Sequence, residues 1–183
     1  MRVLNLNTWW PTLPAAKKTA AERNARLFEN LIELNPEVIT MQECDPTILR
    51  WLISHGYQVA LGLMSAEIPL VKSVDENSAE LAYSHLAVGI ASRIGLSNLR
   101  CHIYNLGKFW PKEIENQSAL FQKRVGGKIL GNNLNPVLLI AEVNGSSIGV
   151  THGPWDITRK PENDGDKAAS SSEHQKKGIL ELC

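Results

Sequence analysis

The sequence predicts an α/β protein built as a two-sheet sandwich. Two observations carry that expectation: a strand–helix–strand opening, and a β-hairpin around Asn144-Gly145 late in the chain. A third supports them. The segment 84–93 alternates Leu86, Val88 and Ile90 with Ala87, Gly89 and Ala91, and small residues on one strand face suit close packing on another layer.

The opening elements follow in order. Residues 2–10, RVLNLNTWW, alternate with Leu4 and Leu6 on one face and Val3, Asn5 and Asn7 on the other. This is a strand whose second face turns polar toward its C-terminal end. After a loop at 11–14, residues 15–34 have helical spacing, with Leu27, Phe28, Leu31, Ile32 and Leu34 as the apolar face. Asn35-Pro36 stops that helix. A second strand follows in PEVITMQEC, 36–44. Two strands joined by a helix imply neighbouring or near-neighbouring parallel strands.

Residues 45–56 are a helix: Asp45 is its N-cap, Pro46 its first residue and Gly56 its stop. A strand at 57–62 comes next. Residues 63–83 lack a clean period and are expected to be a long loop. Strands follow at 84–93 and 98–105, then a second irregular stretch, 106–135. The segment 136–152 is the hairpin, because Asn-Gly suits a two-residue turn with positive φ. A polar loop at 153–171 leads to a helix over 172–182, where Ser172 and Gln175 have capping-box spacing.

Composition narrows the function. The 183 residues carry 43% hydrophobic content, enough for one core. Nineteen basic and nineteen acidic residues cancel, so no global charge attracts nucleic acid or anionic membrane. Cys44, Cys101 and Cys183 show no CxxC spacing, which argues against a disulfide framework or zinc knuckle and for a reducing, cytoplasmic setting. Met1-Arg2 runs directly into a strand pattern, so no signal peptide is expected, nor any transmembrane segment.

Three polar residues close strands. Glu43 ends the second strand, where it could bind a hard cation such as Mg²⁺, cap the next helix or simply meet solvent. Asn7 ends the first strand, as a turn residue or as an amide aimed at Glu43 or a ligand. His152 ends the hairpin. Asn, Glu and His at three strand ends make a site-like pattern, because ligand groups gather at such ends in open α/β sheets. His85 and His102 lie within predicted strands and are structural; His55 suits a helix C-terminus, and His174 a solvated first turn. Trp9, Trp10, Trp110 and Trp155 fall in loops, as does KRVGGK at 123–128; these could grip a ligand or phosphate, or anchor and solvate loops.

In order, VLNLNTWW, a helix with Arg26, LNPEVITMQEC, HLAVGIASR, IGVTHGPW and a helix with Gln175 resemble the endonuclease/exonuclease/phosphatase superfamily, the DNase I-like metal-dependent phosphoesterases. The first motif resembles its neutral sphingomyelinase branch. The resemblance implies a four-layer sandwich, two packed sheets with helices outside. It implies that Glu43 binds Mg²⁺ or Mn²⁺, that Asn7 helps organise the metal and phosphate site, and that His152 contacts the scissile phosphate. The implied substrate is a phosphoester: nucleic acid, phospholipid or a small phosphodiester. Two parts of the family pattern, a strand ending in Asp-x-Asn and a Ser-Asp-His-like motif, are not found. The chain 1–183 is therefore expected to be the N-terminal portion of one such domain. Without a water-orienting aspartate it is expected to be inactive alone, and to self-associate or take a complementing chain. The alternative is a non-catalytic binding or assembly module that retains the fold.

Overall fold

Val38, Ile39, Thr40 and Met41 are all buried, so the strand they form must be covered on both faces. The computed structural model describes residues 1–8, 14–64, 66, 68–103 and 137–152, with residues 14–20 described by their backbone only. Those residues form eight strands and three helices: β1 (Val3–Asn7), α1 (Pro14–Leu34), β2 (Val38–Gln42), α2 (Pro46–Ser54), β3 (Gln58–Leu63), β4 (Leu70–Val71), α3 (Glu80–His85), β5 (Ala87–Ser92), β6 (Ser97–Ile103), β7 (Val137–Val143) and β8 (Ser146–Thr151). The first sheet has five strands in the order β1-β2-β5-β3-β4, and the second has three in the order β6-β7-β8.

The opening unit forms as its pattern dictates. β1 and β2 are parallel neighbours with Val3 opposite Val38 and Asn7 opposite Gln42. Between them α1 buries Leu31 and packs Leu27 and Phe28 against the core. Ile32 and Leu34 are exposed, and Asn24 is buried in their stead. The buried stripe is thus 24, 27, 28 and 31, one turn nearer the N-terminus than the apolar count suggests. Asn35 ends the helix in the left-handed region, its N–H donating to Leu31 O. Glu37 anchors the start of β1: its carboxylate accepts from Arg2 N–H at 2.7 Å, which lowers its pKa.

Two cores result. One lies between the first sheet and the helices and contains Leu31, Ile39, Met41, Ile48, Leu49 and Leu52. The other lies between the sheets and contains Val38, Val88, Ile90, Val137, Leu139 and Val150. β7 lies against β3 and β5, and β8 lies against β2 and β5. The small face of β5, with Ala87 and Ala91, turns to the helices. A Cβ on Gly89 there would stand 3.0 Å from both Cys44 Sγ and Met41 Cε, so a larger residue would require those side chains to shift by a few tenths of an ångström. α1 and α2 meet through stacked Phe28 and Trp51 rings, 4.8 Å between centroids, and His55 stacks on Trp51 in turn.

Two expectations are corrected. The stretch 63–83 is not one long loop, since it holds β4 and most of α3. Both are too short to show a period: β4 is two residues paired with β3, and α3 is six. The strand expected at 84–93 begins only at Ala87, because Ser84 and His85 finish α3 and Leu86 turns the chain at φ 47°. His85 is therefore a helix residue, and its burial pushes its pKa down. The hairpin forms as expected, with Asn144 and Gly145 both at positive φ between Val143 and Ser146. Helices cover one face of the first sheet. The helix expected at 172–182, like the loops at 106–135 and 153–171 and the tryptophans 9, 10, 110 and 155, lies outside the described residues.

Candidate functional site

The parallel register of β1 and β2 sets the site. Asn7, the last residue of β1, lies opposite Gln42, so its side chain stands one residue from Glu43. Asn7 Nδ2 donates to Glu43 Oε1 at 3.2 Å. His152 comes from the other sheet, directly after β8, and its Nε2 lies 3.1 Å from the same Oε1. The structure thus brings Asn7, Glu43 and His152 together at one carboxylate oxygen.

An ionised carboxylate only accepts hydrogen bonds, so with Glu43 ionised the donor in this contact is Nε2 of His152. The pair becomes an ion pair whenever His152 is protonated. Both side chains are largely buried, at 5% exposure for Glu43 and 11% for His152, and low local dielectric strengthens their attraction.

The polar face of β1 finds partners throughout. Asn5 Oδ1 accepts from Thr40 Oγ1 at 2.8 Å and from Gln42 Nε2 at 2.9 Å. This ladder of amides explains why two asparagines are tolerated on one strand face.

Glu43 itself has φ 52°, a left-handed conformation that non-glycine residues rarely take. It turns the chain from β2 into α2. The surrounding bonds fix that turn. Cys44 N–H donates to Ala87 O at 3.0 Å. Thr8 Oγ1 donates to Glu43 O at 2.6 Å, and Asp45 N–H donates to Thr8 Oγ1 at 3.1 Å. Asp45 caps α2 by accepting from Thr47 N–H at 2.8 Å, and its other oxygen meets the Arg23 guanidinium at 3.3 Å. Sequence reasoning identifies Asp45 as a cap but misses both Arg23 and Thr8. No period marks Thr8, because a residue just past a strand end has no face to belong to.

His102 lies exposed in β6, level with Thr151 across β7, and His55 closes α2. Among the described residues no three of His, Cys, Asp and Glu are grouped to hold a metal by themselves. Glu43, with the Asn7 amide beside it, could hold a hard cation that keeps much of its water, since Mg²⁺ is commonly bound through one or two carboxylates.

The solved structure of the human Nocturnin catalytic domain with bound sulfate anion is similar to this chain, with a TM-score of 0.51 at 16% identity over 86% of this chain and 52% of that one. The fold is DNase I-like. The chain spans about half the length of that solved domain. No family model and no curated relative matches the chain. Within the DNase I-like sandwich, Asn7 and Glu43 come from the first sheet and its turn, and His152 comes from the second. Among the described residues no helix is long and apolar enough to cross a membrane.

Proposed function

We propose that this chain carries part of the active site of a metal-dependent phosphoester hydrolase of the endonuclease/exonuclease/phosphatase superfamily. The observation that carries the proposal is the shared oxygen: Asn7 Nδ2 and His152 Nε2 both meet Glu43 Oε1, from two different sheets. A carboxylate held this way is oriented before any ligand arrives.

Glu43 would hold Mg²⁺ or Mn²⁺, assisted by Asn7. When bound, the cation supplies Lewis-acid polarisation of a phosphoryl oxygen and stabilisation of the leaving oxygen. The chain's own groups do the rest. Asn7 keeps a second Nδ2 hydrogen, and His152 a second ring nitrogen that donates when the imidazole is protonated; donors of that kind held beside developing negative charge favour the transition state. His152 can also hold or deliver a proton there. The water-orienting base is the part this chain is expected to lack; should residues 1–183 turn over a substrate alone, Asp156, Asp164 and Asp166, which lie outside the described residues, are the ones to mutate. Nucleic acid, phospholipid and small phosphodiesters are the substrate classes to screen. A reducing, cytoplasmic setting belongs to the same reading and rests on the three cysteines without CxxC spacing.

A non-catalytic binding module is the second reading. What favours it is Asp45: the aspartate nearest Glu43 in sequence is committed to capping α2 and to Arg23. Titration of Mn²⁺ into the wild type and Glu43→Gln tests the first reading. Affinity should fall by more than the roughly 10–100-fold that loss of an outer hydrogen-bond partner costs. Equal affinity removes Glu43 as the ligand.

A further inference from the structure

We infer that the Thr8 hydroxyl is the positioning group that holds the Glu43 carboxylate in place, a role that rests on reading Glu43 as the cation ligand. Glu43 has φ 52°, and a non-glycine residue stays in that region only where its surroundings leave it no alternative. Thr8 supplies much of that constraint. Its Oγ1 lies 2.6 Å from Glu43 O, 3.3 Å from Gln42 O and 3.1 Å from Asp45 N. A hydroxyl has one proton to give, and the shortest of these contacts receives it. Its lone pairs then accept the Asp45 N–H. One atom therefore grips the carbonyl of Glu43 and the amide two residues on, bracketing the strained turn.

Thr8 is 4% exposed, so bulk water is not at hand to replace the hydroxyl. The backbone link between the strand ends is independent of it, because Thr8 N–H donates to Gln42 O at 2.9 Å. Loss of the hydroxyl thus leaves β1 paired with β2 but frees the turn beyond. A valine is nearly the same shape and would bury Glu43 O and Asp45 N–H without this partner. The peptide would rotate to recover hydrogen bonds. The Glu43 side chain would then swing away from Asn7 and His152.

Thr8→Val, Thr8→Ser and Glu43→Gln separate this role from the ligand role. The wild type and Thr8→Ser should bind Mn²⁺ within about threefold of each other, while Thr8→Val weakens binding by about tenfold or more, the scale of a lost outer partner. The hydrogen-bonded His152 Nε2–H resonance should persist in Thr8→Ser and vanish in Thr8→Val. If Thr8→Val binds as the wild type does while Glu43→Gln does not, the Thr8 role is overturned and Glu43 as ligand stands. If Glu43→Gln binds as the wild type does, the ligand reading is overturned, and a Thr8→Val protein that keeps the imidazole resonance overturns the positioning role separately. Should Thr8→Val not fold, wild-type hydrogen exchange decides. The Asp45 amide should be as protected as the Cys44 amide, and exchange at the rate of an open loop overturns the inference.

Discussion

Replacing Arg23 by methionine tests how the turn that carries Glu43 is anchored. Asp45 does two things: one oxygen caps α2 through Thr47 N–H, and the other meets Arg23 at 3.3 Å. Its side chain is 3% exposed and that of Arg23 is 25% exposed. Breaking a wholly buried pair costs about 3–5 kcal/mol, but a guanidinium reached by solvent is partly screened, so about 1–2 kcal/mol is expected for Arg23→Met. Asp45→Asn keeps the cap, since asparagine caps as well as aspartate, and loses only the charge. In the wild-type background it should cost about 1 kcal/mol, the difference between a charge-assisted and a neutral hydrogen bond. In the Arg23→Met background it removes a buried carboxylate that has lost its counter-ion, and should stabilise by about 1 kcal/mol. The sign reverses. Urea denaturation of the four proteins gives the coupling, expected near ~2 kcal/mol. The same cost for Asp45→Asn in both backgrounds would show that Arg23 and Asp45 act independently and that no ion pair anchors the turn.

Two further outcomes are expected. Burial pushes the Cys101 thiol up to about 11 and raises Cys44 further, and the thiolate is the reactive form. With Cys183→Ser, alkylation of native Cys101 at pH 8 should run roughly two-hundredfold slower than that of an ordinary thiol, rising about tenfold per pH unit until pH nears 11; a rate like that of a free cysteine contradicts its burial. Among the described residues β1 pairs only with β2 and β8 only with β7, and Val3 on the outermost strand is 51% exposed. Open strand edges recruit other strands, so light scattering should give a mass above the 20.2 kDa monomer, reduced by Val3→Lys; a monomer at every concentration refutes this.

What the sequence made legible was local. Asn144-Gly145 fixes its hairpin because both turn residues need positive φ. Asp45, Pro46 and Gly56 frame α2 because caps act within one turn. The parallel pairing of β1 and β2 follows from the helix between them. Less legible were features settled by tertiary contact. Ile32 and Leu34 match the helical period yet face solvent, since the stripe that meets the sheet is centred on Phe28 and Leu31. β4 exists only because β3 is there to pair with it. Strand-end position singles out Asn7, Glu43 and His152. Nothing in their spacing specifies that two donors share one oxygen, nor that Thr8 braces the turn beneath them.

The Glu43–His152 contact spans 109 positions in sequence and joins the two sheets. Closing so long a loop is entropically costly, so this contact can form only when the hairpin has docked. A chain with its first sheet folded and its hairpin undocked would hold Asn7 and Glu43 without His152. Completing the cluster and closing the sandwich are then one event. A ligand that touches all three residues acts as a rivet: at a hundredfold excess over its Kd it would add about 2.7 kcal/mol to the closed form, and thermal stability would report occupancy without any turnover.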